Sequence, residues 1–308
     1  MCLTRYQPKG VSQARYAFLC RLTFSALHDI IKKKSDKPFV YRSFQMIQQK
    51  GVGDMLTIDL KGKTALVTGA SGELGRVIAR TLAECGADVA LHYHSGKERA
   101  EQVAEAVRSR GGRTLIVQAD ITDHESVLQM QRQIKQTLGT VDLIVANAVI
   151  QYEWKSVLEQ PLEDFQSQFA SCAMQTVYLA KAFFPDMVEQ DYGRFVAVNT
   201  ECAALAEPNN AAYTAGKRAL DGVVRCLAKE VGAHNITVNQ VAPGWTISER
   251  DRTEHTERRE DYEQTVPLRR RGTDQEIANM IAFLLSDLAS FTTGAYIPVS
   301  GGRVMPAI

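Results

Sequence analysis

The sequence predicts an α/β fold, a doubly wound parallel sheet with helices covering both faces. Three observations carry that prediction. From residue 60 onward, short apolar runs alternate with segments of helical periodicity. The runs are almost continuously apolar, as strands buried on both faces must be. A glycine-rich turn follows the first run directly and leads into a helical pattern.

In chain order, the strands are expected at Thr64–Val67, Asp88–Leu91, Thr114–Val117, Leu143–Ala146, Arg194–Val198 and Ile236–Asn239. Ala295–Val299 is a further strand, and Pro298 puts it at an edge because proline cannot donate to a central ladder. Helices are expected between them, for example over Glu98–Arg110, Glu125–Leu138 and Gln275–Leu285. Neither an internal repeat nor a Pro/Gly/Ser linker occurs after residue 60. Residues 55–308 therefore read as one domain and residues 1–54 as an N-terminal extension.

Composition excludes several classes. The 308 residues are 45% hydrophobic and 23% charged with a net charge of +1, so the chain as a whole has no electrostatic case for nucleic acid or membrane. The charge is uneven: residues 1–54 hold ten Lys/Arg and three acids, a balance of +7 that leaves −6 for the rest. This segment lacks the apolar core and cleavage site of a secretory signal. Its composition is compatible with a mitochondrial transit peptide, and Lys32-Lys33-Lys34 with a nucleic-acid patch. The reading adopted is a poorly ordered extension with Met55 as the natural start and no nucleic-acid partner. No apolar run reaches transmembrane length. The six cysteines are scattered without a C-x-x-C pair, which implies reduced thiols and a cytoplasmic protein. The six histidines show no metal-ligand spacing, so no metal is expected.

Two motifs carry chemistry. The first is Thr68-Gly69-Ala70-Ser71-Gly72-Glu73-Leu74-Gly75 after the first strand. Its small residues let the backbone turn tightly and approach a pyrophosphate, and the following helix presents free N–H groups and a positive dipole end. The second is Tyr213 and Lys217 in a helical stretch, four residues apart and so on one face. A fixed cation beside a phenol favours phenolate and draws its pKa down towards neutrality, where it can give or take a proton. Either motif alone is commonplace; in order along an alternating βα chain they are informative.

These motifs resemble the short-chain dehydrogenase/reductase family, single-domain type, most of all the branch containing 3-oxoacyl-carrier-protein reductases and related carbonyl reductases. The supporting positions are Thr68, Gly69 and Gly75; Asp120-Ile121 after the third strand; Asn147-Ala148 after the fourth; Tyr213 and Lys217; Pro243-Gly244 after the sixth; and the ending from Arg271-Gly272-Thr273 to Ser300-Gly301-Gly302. The resemblance spans about residues 58–302 and implies a Rossmann-like sheet of about seven strands, an NAD(P)-dependent oxidoreductase and a homo-oligomer, tetramer or dimer. It implies cofactor contacts from Gly69, Ser71, Gly72, Leu74, Gly75, Asp120, Ile121, Asn147, Ala148, Tyr213, Lys217, Pro243, Gly244 and Thr246. At the end of the second strand, Tyr93 stands where NAD-dependent members carry an acid, and His94, Ser95 and Lys97 follow it. Without that carboxylate nothing repels a 2′-phosphate, so NADP(H) is expected over NAD(H).

The resemblance also assigns roles and exposes departures. Tyr213 would protonate the substrate oxygen, and Lys217 would hold the ribose and lower the Tyr213 pKa. Thr200, thirteen residues before Tyr213, stands in for the family's serine and keeps a hydroxyl that can donate to a carbonyl. Cys172 occupies the position of the family's asparagine, where a thiol would hold a water poorly. Glu73 replaces the middle glycine of the turn, and Val149 a glycine after Asn147-Ala148. The charged stretch Trp245–Val266 corresponds to the family's mobile lid; its alternating charge reads first as a solvated helix face, with Arg250 or Arg252 as a contact for an anionic substrate the less favoured alternative. Ile150–Trp154 and Glu201–Asn210 are expected to form the other wall. The function expected is reduction of a carbonyl, or oxidation of a secondary alcohol, on a small molecule. The alternative is a catalytically impaired nucleotide-binding protein of the same fold.

Overall fold

The computed structural model describes residues 56–306. The expectations for residues 1–54 and for Met55 lie outside the described residues. The strands are β1 (Thr64–Val67), β2 (Asp88–Tyr93), β3 (Thr114–Gln118), β4 (Leu143–Ala146), β5 (Gly193–Val198), β6 (Ile236–Pro243) and β7 (Tyr296–Val299). They form one parallel sheet in the order β3-β2-β1-β4-β5-β6-β7. Pro298 indeed sits on an edge strand, paired only with β6. The order reverses between β1 and β4, which opens a crevice at the carboxyl ends of those strands.

The helices are α1 (Glu73–Glu84), α2 (Lys97–Arg108), α3 (His124–Thr137), α4 (Leu162–Phe169), α5 (Gln175–Glu189), α6 (Cys202–Leu205), α7 (Ala211–Val231), α8 (Glu249–Glu254), α9 (Glu260–Glu263) and α10 (Asp274–Leu285). Strand alternation divides the core in two. Val67 and Val145 face Ile78 and Leu82 of α1 and Ile281 and Leu285 of α10. Leu66 and Ile144, one residue out of phase, face Ile134 of α3, Phe183 of α5 and Val224 of α7. Each such fully buried side chain contributes about 1.5–3 kcal/mol, so the sheet is held from both sides.

Two elements differ from the apolar pattern. Strand β6 runs on through Asn239 and Gln240 to Pro243. Both polar residues are buried, and both are satisfied: Asn239 Nδ2 donates to the Thr292 carbonyl at 2.7 Å, and Gln240 Oε1 accepts from Asn199 Nδ2 at 2.6 Å. With those partners the ladder continues where hydropathy stops. Between α4 and α5 the helix widens into a π-turn, Ala170–Met174, which contains Cys172.

The end of β1 is fastened to the end of β4 by one buried hydroxyl. Thr68 Oγ1 accepts from the Asn147 and Ala148 amides at 2.9 and 3.0 Å and donates to Gln175 Oε1 at 2.8 Å. Asn147 Nδ2 returns a bond to the Thr68 carbonyl at 2.9 Å. His92 braces the same turn from β2. Its Nδ1 accepts from the Gly69 amide at 3.0 Å, so its Nε2 carries the proton donated to the Ala119 carbonyl at 3.1 Å. Burial keeps this imidazole neutral and pulls its pKa down to about 4.

The variant Thr68→Val should lose about 2–4 kcal/mol in urea denaturation, because two buried amides and Gln175 are left without partners. The His92 site should make stability pH-dependent. The unfolded imidazole takes a proton near 6.5 and the folded one only near 4, so acidification between those values favours unfolding, by up to about 3 kcal/mol in all. The fall in urea midpoint from pH 7 to pH 4.5 should be smaller in His92→Asn; an equal fall in both proteins would refute the assignment.

Candidate active site

Two cavities meet at the carboxyl ends of the strands. The larger, about 860 Å³, follows the glycine turn and the tips of β2, β3, β4, β5 and β6. Gly69, Ser71, Gly72, Leu74, Gly75, Ser95, Asp120, Ile121, Asn147, Ala148, Tyr213, Lys217, Pro243 and Gly244 all line it, so most of the expected cofactor residues converge. Tyr93, Thr246 and Cys172 do not line it. Tyr93 is packed into the sheet, one residue short of the rim. Thr246 turns its hydroxyl onto the Gly244 carbonyl at 2.9 Å. Cys172 faces the core, its thiol directed at Gln168 Oε1 at 3.9 Å.

The cleft suits a dinucleotide. Gly69 has φ +64°, and a Cβ there would lie 3.0 Å from the Ala148 backbone. A Cβ on Gly75 would collide with the Gly69 carbonyl oxygen. Gly72 precedes α1 and offers no side-chain cap, so the first-turn N–H groups remain for an anion. Glu73 is engaged elsewhere: its Oε2 pairs with Arg76 and accepts from the Arg250 amide at 3.2 Å, tying the turn to α8. Asp120 Oδ1 accepts from the Thr122 hydroxyl at 2.6 Å and the Thr122 amide at 2.8 Å, and those bonds hold its pKa below the usual range. At the rim beyond β2, His94, Ser95 and Arg99 face the cleft. Lys97 instead reaches Glu101, at 3.9 Å, outside it.

The smaller cavity, about 610 Å³, is walled by Tyr152, Trp154, Glu201, Trp245, Tyr262 and Arg303 among others. Thr200, Tyr213 and Gly244 line both cavities and so mark their junction. Thr200 Oγ1 accepts from the Cys202 amide at 3.2 Å, which leaves its hydrogen to donate. Tyr213 lies in the first turn of α7, where its amide donates to the Tyr152 hydroxyl at 2.7 Å and its ring stacks on Trp154 at 5.9 Å. Gly216 allows the helix to sit this deep, because a Cβ there would be 2.7 Å from the Gln168 carbonyl oxygen.

The electrostatics differ from the expectation for the pair. Lys217 Nζ donates to the Val198 carbonyl at 2.7 Å and lies 5.7 Å from the Tyr213 ring centroid. Burial pushes the Tyr213 phenol well above its ordinary value, outweighing the bond from Thr200. Burial also lowers the Lys217 pKa. Desolvation therefore governs both groups, and the phenol is kept in its protonated, donor form.

The lid segment is pinned from below by Arg271, which is fully buried. Its guanidinium donates to the carbonyls of Trp245, Thr246, Thr256 and Glu257 and pairs with Asp251 at 3.1 Å. Arg252 is taken by Asp274 at 2.6 Å and Arg250 by Glu254 at 2.8 Å, so neither points to the small cavity. Sequence reasoning missed His92 and Gln175 and gave Arg271, quoted only as part of the family-like ending, no role. Each acts through a partner distant in the chain, and no local spacing signals it.

The comparisons agree with this architecture. The family profile described as Enoyl-(Acyl carrier protein) reductase matches residues 69–303. The chain is 34% identical over 253 residues to 3-oxoacyl-(acyl-carrier-protein) reductase FabG of Staphylococcus aureus, covering 79% of this chain and 98% of that protein. FabG of Pseudomonas aeruginosa is 34% identical over 249 residues, with 80% and 100% coverage. Among solved structures, the promiscuous reductase LugOII, which catalyses a keto-reduction in lugdunomycin biosynthesis, superposes with a TM-score of 0.74 at 31% identity, covering 80% of this chain and 99% of that one. NAD+-bound xylitol dehydrogenase gives a TM-score of 0.74 at 29% identity, with 79% and 99% coverage. With this sheet order, this glycine turn and these relatives, the chain belongs to the short-chain dehydrogenase/reductase family and is an oxidoreductase acting on C=O or CH–OH groups with a nicotinamide cofactor.

Proposed function

We propose that the protein is an NADP(H)-dependent carbonyl reductase, running in reverse as a secondary-alcohol dehydrogenase, with Tyr213 as proton donor. One observation carries the proposal: Thr200 and Tyr213 stand on the wall shared by the dinucleotide cleft and the smaller cavity. The cofactor supplies the hydride when bound. Thr200 turns its hydrogen from Tyr213 to the substrate carbonyl and polarises it. Tyr213, held protonated by burial, delivers its proton to the same oxygen. Lys217 lines the cleft beside Tyr213 and holds the ribose. Trp154 and Trp245, half exposed, give the smaller cavity an aromatic wall beside the junction. The substrate is a small molecule, and the enzyme is a cytoplasmic homo-oligomer; the free thiols of Cys85, Cys172, Cys202 and Cys226 suit a reducing compartment.

NADP(H) is preferred on charge grounds. No carboxylate ends β2, and Arg99 faces the cleft beside Ser95 and His94 without an ion pair among the described residues. A 2′-phosphate there gains a charge-assisted bond.

Tyr213→Phe should leave the NADPH dissociation constant within about threefold and lower kcat by at least about 100-fold on ketones that the parent protein reduces. Unchanged turnover would remove Tyr213 from the reaction, and tight NADPH binding with no ketone reduced by the parent protein would favour the impaired alternative. Arg99→Glu should raise KM for NADPH by about 10–100-fold and leave NADH nearly unaffected. Equal losses with the two cofactors would reject Arg99 as the phosphate contact.

A further inference from the structure

Helix α7, which carries Tyr213 and Lys217, begins without a cap of its own. A helix leaves its first amides unpaired, and the residue before the first turn ordinarily lends an oxygen to one of them. Asn210 holds that place before α7, yet its side chain takes no amide. Its φ of −122° and ψ of 25° lie outside the extended conformation of a capping residue. Its Oδ1 is occupied by the Thr214 hydroxyl at 2.8 Å. Among the described residues, the Ala211 amide finds no protein acceptor. The Tyr213 amide is satisfied from outside the helix, by the phenol oxygen of Tyr152 at 2.7 Å, 61 residues away in the chain.

Tyr152 lies in a segment that is neither helix nor strand, and two buried glutamines hold that segment. Gln168 Nε2 donates to the Ile150 carbonyl at 2.7 Å. Gln160 Nε2 donates to the Glu153 carbonyl at 3.0 Å, and its Oε1 accepts from the Lys155 amide at 2.8 Å. Gln168 also supports α7, because its own carbonyl lies directly against Gly216. Segment and helix thus rest on the same residue. Trp154, two residues beyond Tyr152, stacks on the Tyr213 ring with centroids 5.9 Å apart and planes 28° apart. Thr200 bonds the phenol itself. Tyr213 is therefore held at its backbone, its ring face and its hydroxyl, and the first two holds come from the Tyr152–Trp154 segment.

We propose that Tyr152 is a positioning residue for proton delivery: its phenol oxygen replaces the helix cap that Asn210 does not supply and, with Trp154, sets where the Tyr213 hydroxyl stands. Its effect on rate rests on the carbonyl-reductase reading; the cap itself does not.

Tyr152→Phe removes one oxygen and keeps the ring. The Tyr213 amide should then exchange its hydrogen at least about tenfold faster, while amides from Leu220 onward are unchanged. On ketones that the parent protein reduces, kcat should fall by about 10–100-fold. The KM for ketone and the dissociation constant of NADPH should stay within about threefold. The solvent deuterium isotope effect on kcat should rise, because a displaced phenol slows the proton step. A merely structural role would lower the amount of folded protein and leave that isotope effect unchanged. Faster exchange with unchanged kcat, where Tyr213→Phe is inactive, overturns the positioning role and leaves the reductase reading standing. Full turnover in both variants overturns the positioning role together with the assignment of Tyr213. Faster exchange with no ketone reduced by the parent protein supports the cap and overturns the reductase reading. In the wild-type protein, protection from exchange at Tyr213 should exceed that at Ala211 by at least about tenfold. Equal protection at the two amides overturns the cap even if Tyr152→Phe does not fold.

Discussion

Everything at the junction depends on how closely β1 and β4 approach at the point where the strand order reverses. Gly69 packs against the Ala148 backbone with no room for a Cβ, and the buried Thr68 hydroxyl takes both amides that follow β4. That single oxygen sets the spacing of the crevice. The glycine turn bends away from β1 while the Thr68 hydroxyl and carbonyl receive hydrogen bonds donated from the segment after β4, and His92 closes the arrangement from β2. The cleft for a dinucleotide is thus a consequence of how three strand ends satisfy one another's backbone groups.

The same constraint, desolvation, decides the chemistry. Lys217, Glu201 and His92 are buried and Tyr213 is half-buried, and desolvation displaces each towards its neutral form. Their partners differ. His92 has both nitrogens satisfied by backbone and serves the fold. Lys217 is bound to a carbonyl at the end of β5, and Tyr213 keeps its hydroxyl at the wall between cavities. Glu201 is half satisfied, by Tyr262 and Arg303 on one oxygen only.

The departures from the family pattern become intelligible in this light. Glu73 does not load a bare negative charge onto the phosphate site, because Arg76 and the Arg250 amide engage it and it becomes a tie to the lid. Cys172 sits in a π-turn of a helix packed into the core, so its small apolar side chain matches its surroundings. The charged segment Trp245–Val266, which in sequence looks like a solvated helix face, is held by Arg271, which donates to four of its carbonyls.

Much of the fold was legible in the chain alone. Apolar runs of four or five residues placed six strands, because a strand buried on both faces cannot hide polar residues cheaply. Pro298 located an edge, because it has no N–H to donate. The glycine turn and the Tyr213/Lys217 spacing identified the two halves of the site, since a tight phosphate turn and a one-face pair are both local geometry. What tertiary structure alone decided was the state of those groups. Whether Lys217 lowers Tyr213, whether Arg252 meets substrate, and which oxygen of Glu201 is free depend on burial and on partners as much as 102 residues away. Side-chain spacing along one helix is written in the sequence; the water each side chain loses, and the partner that replaces it, are set only when distant segments pack together.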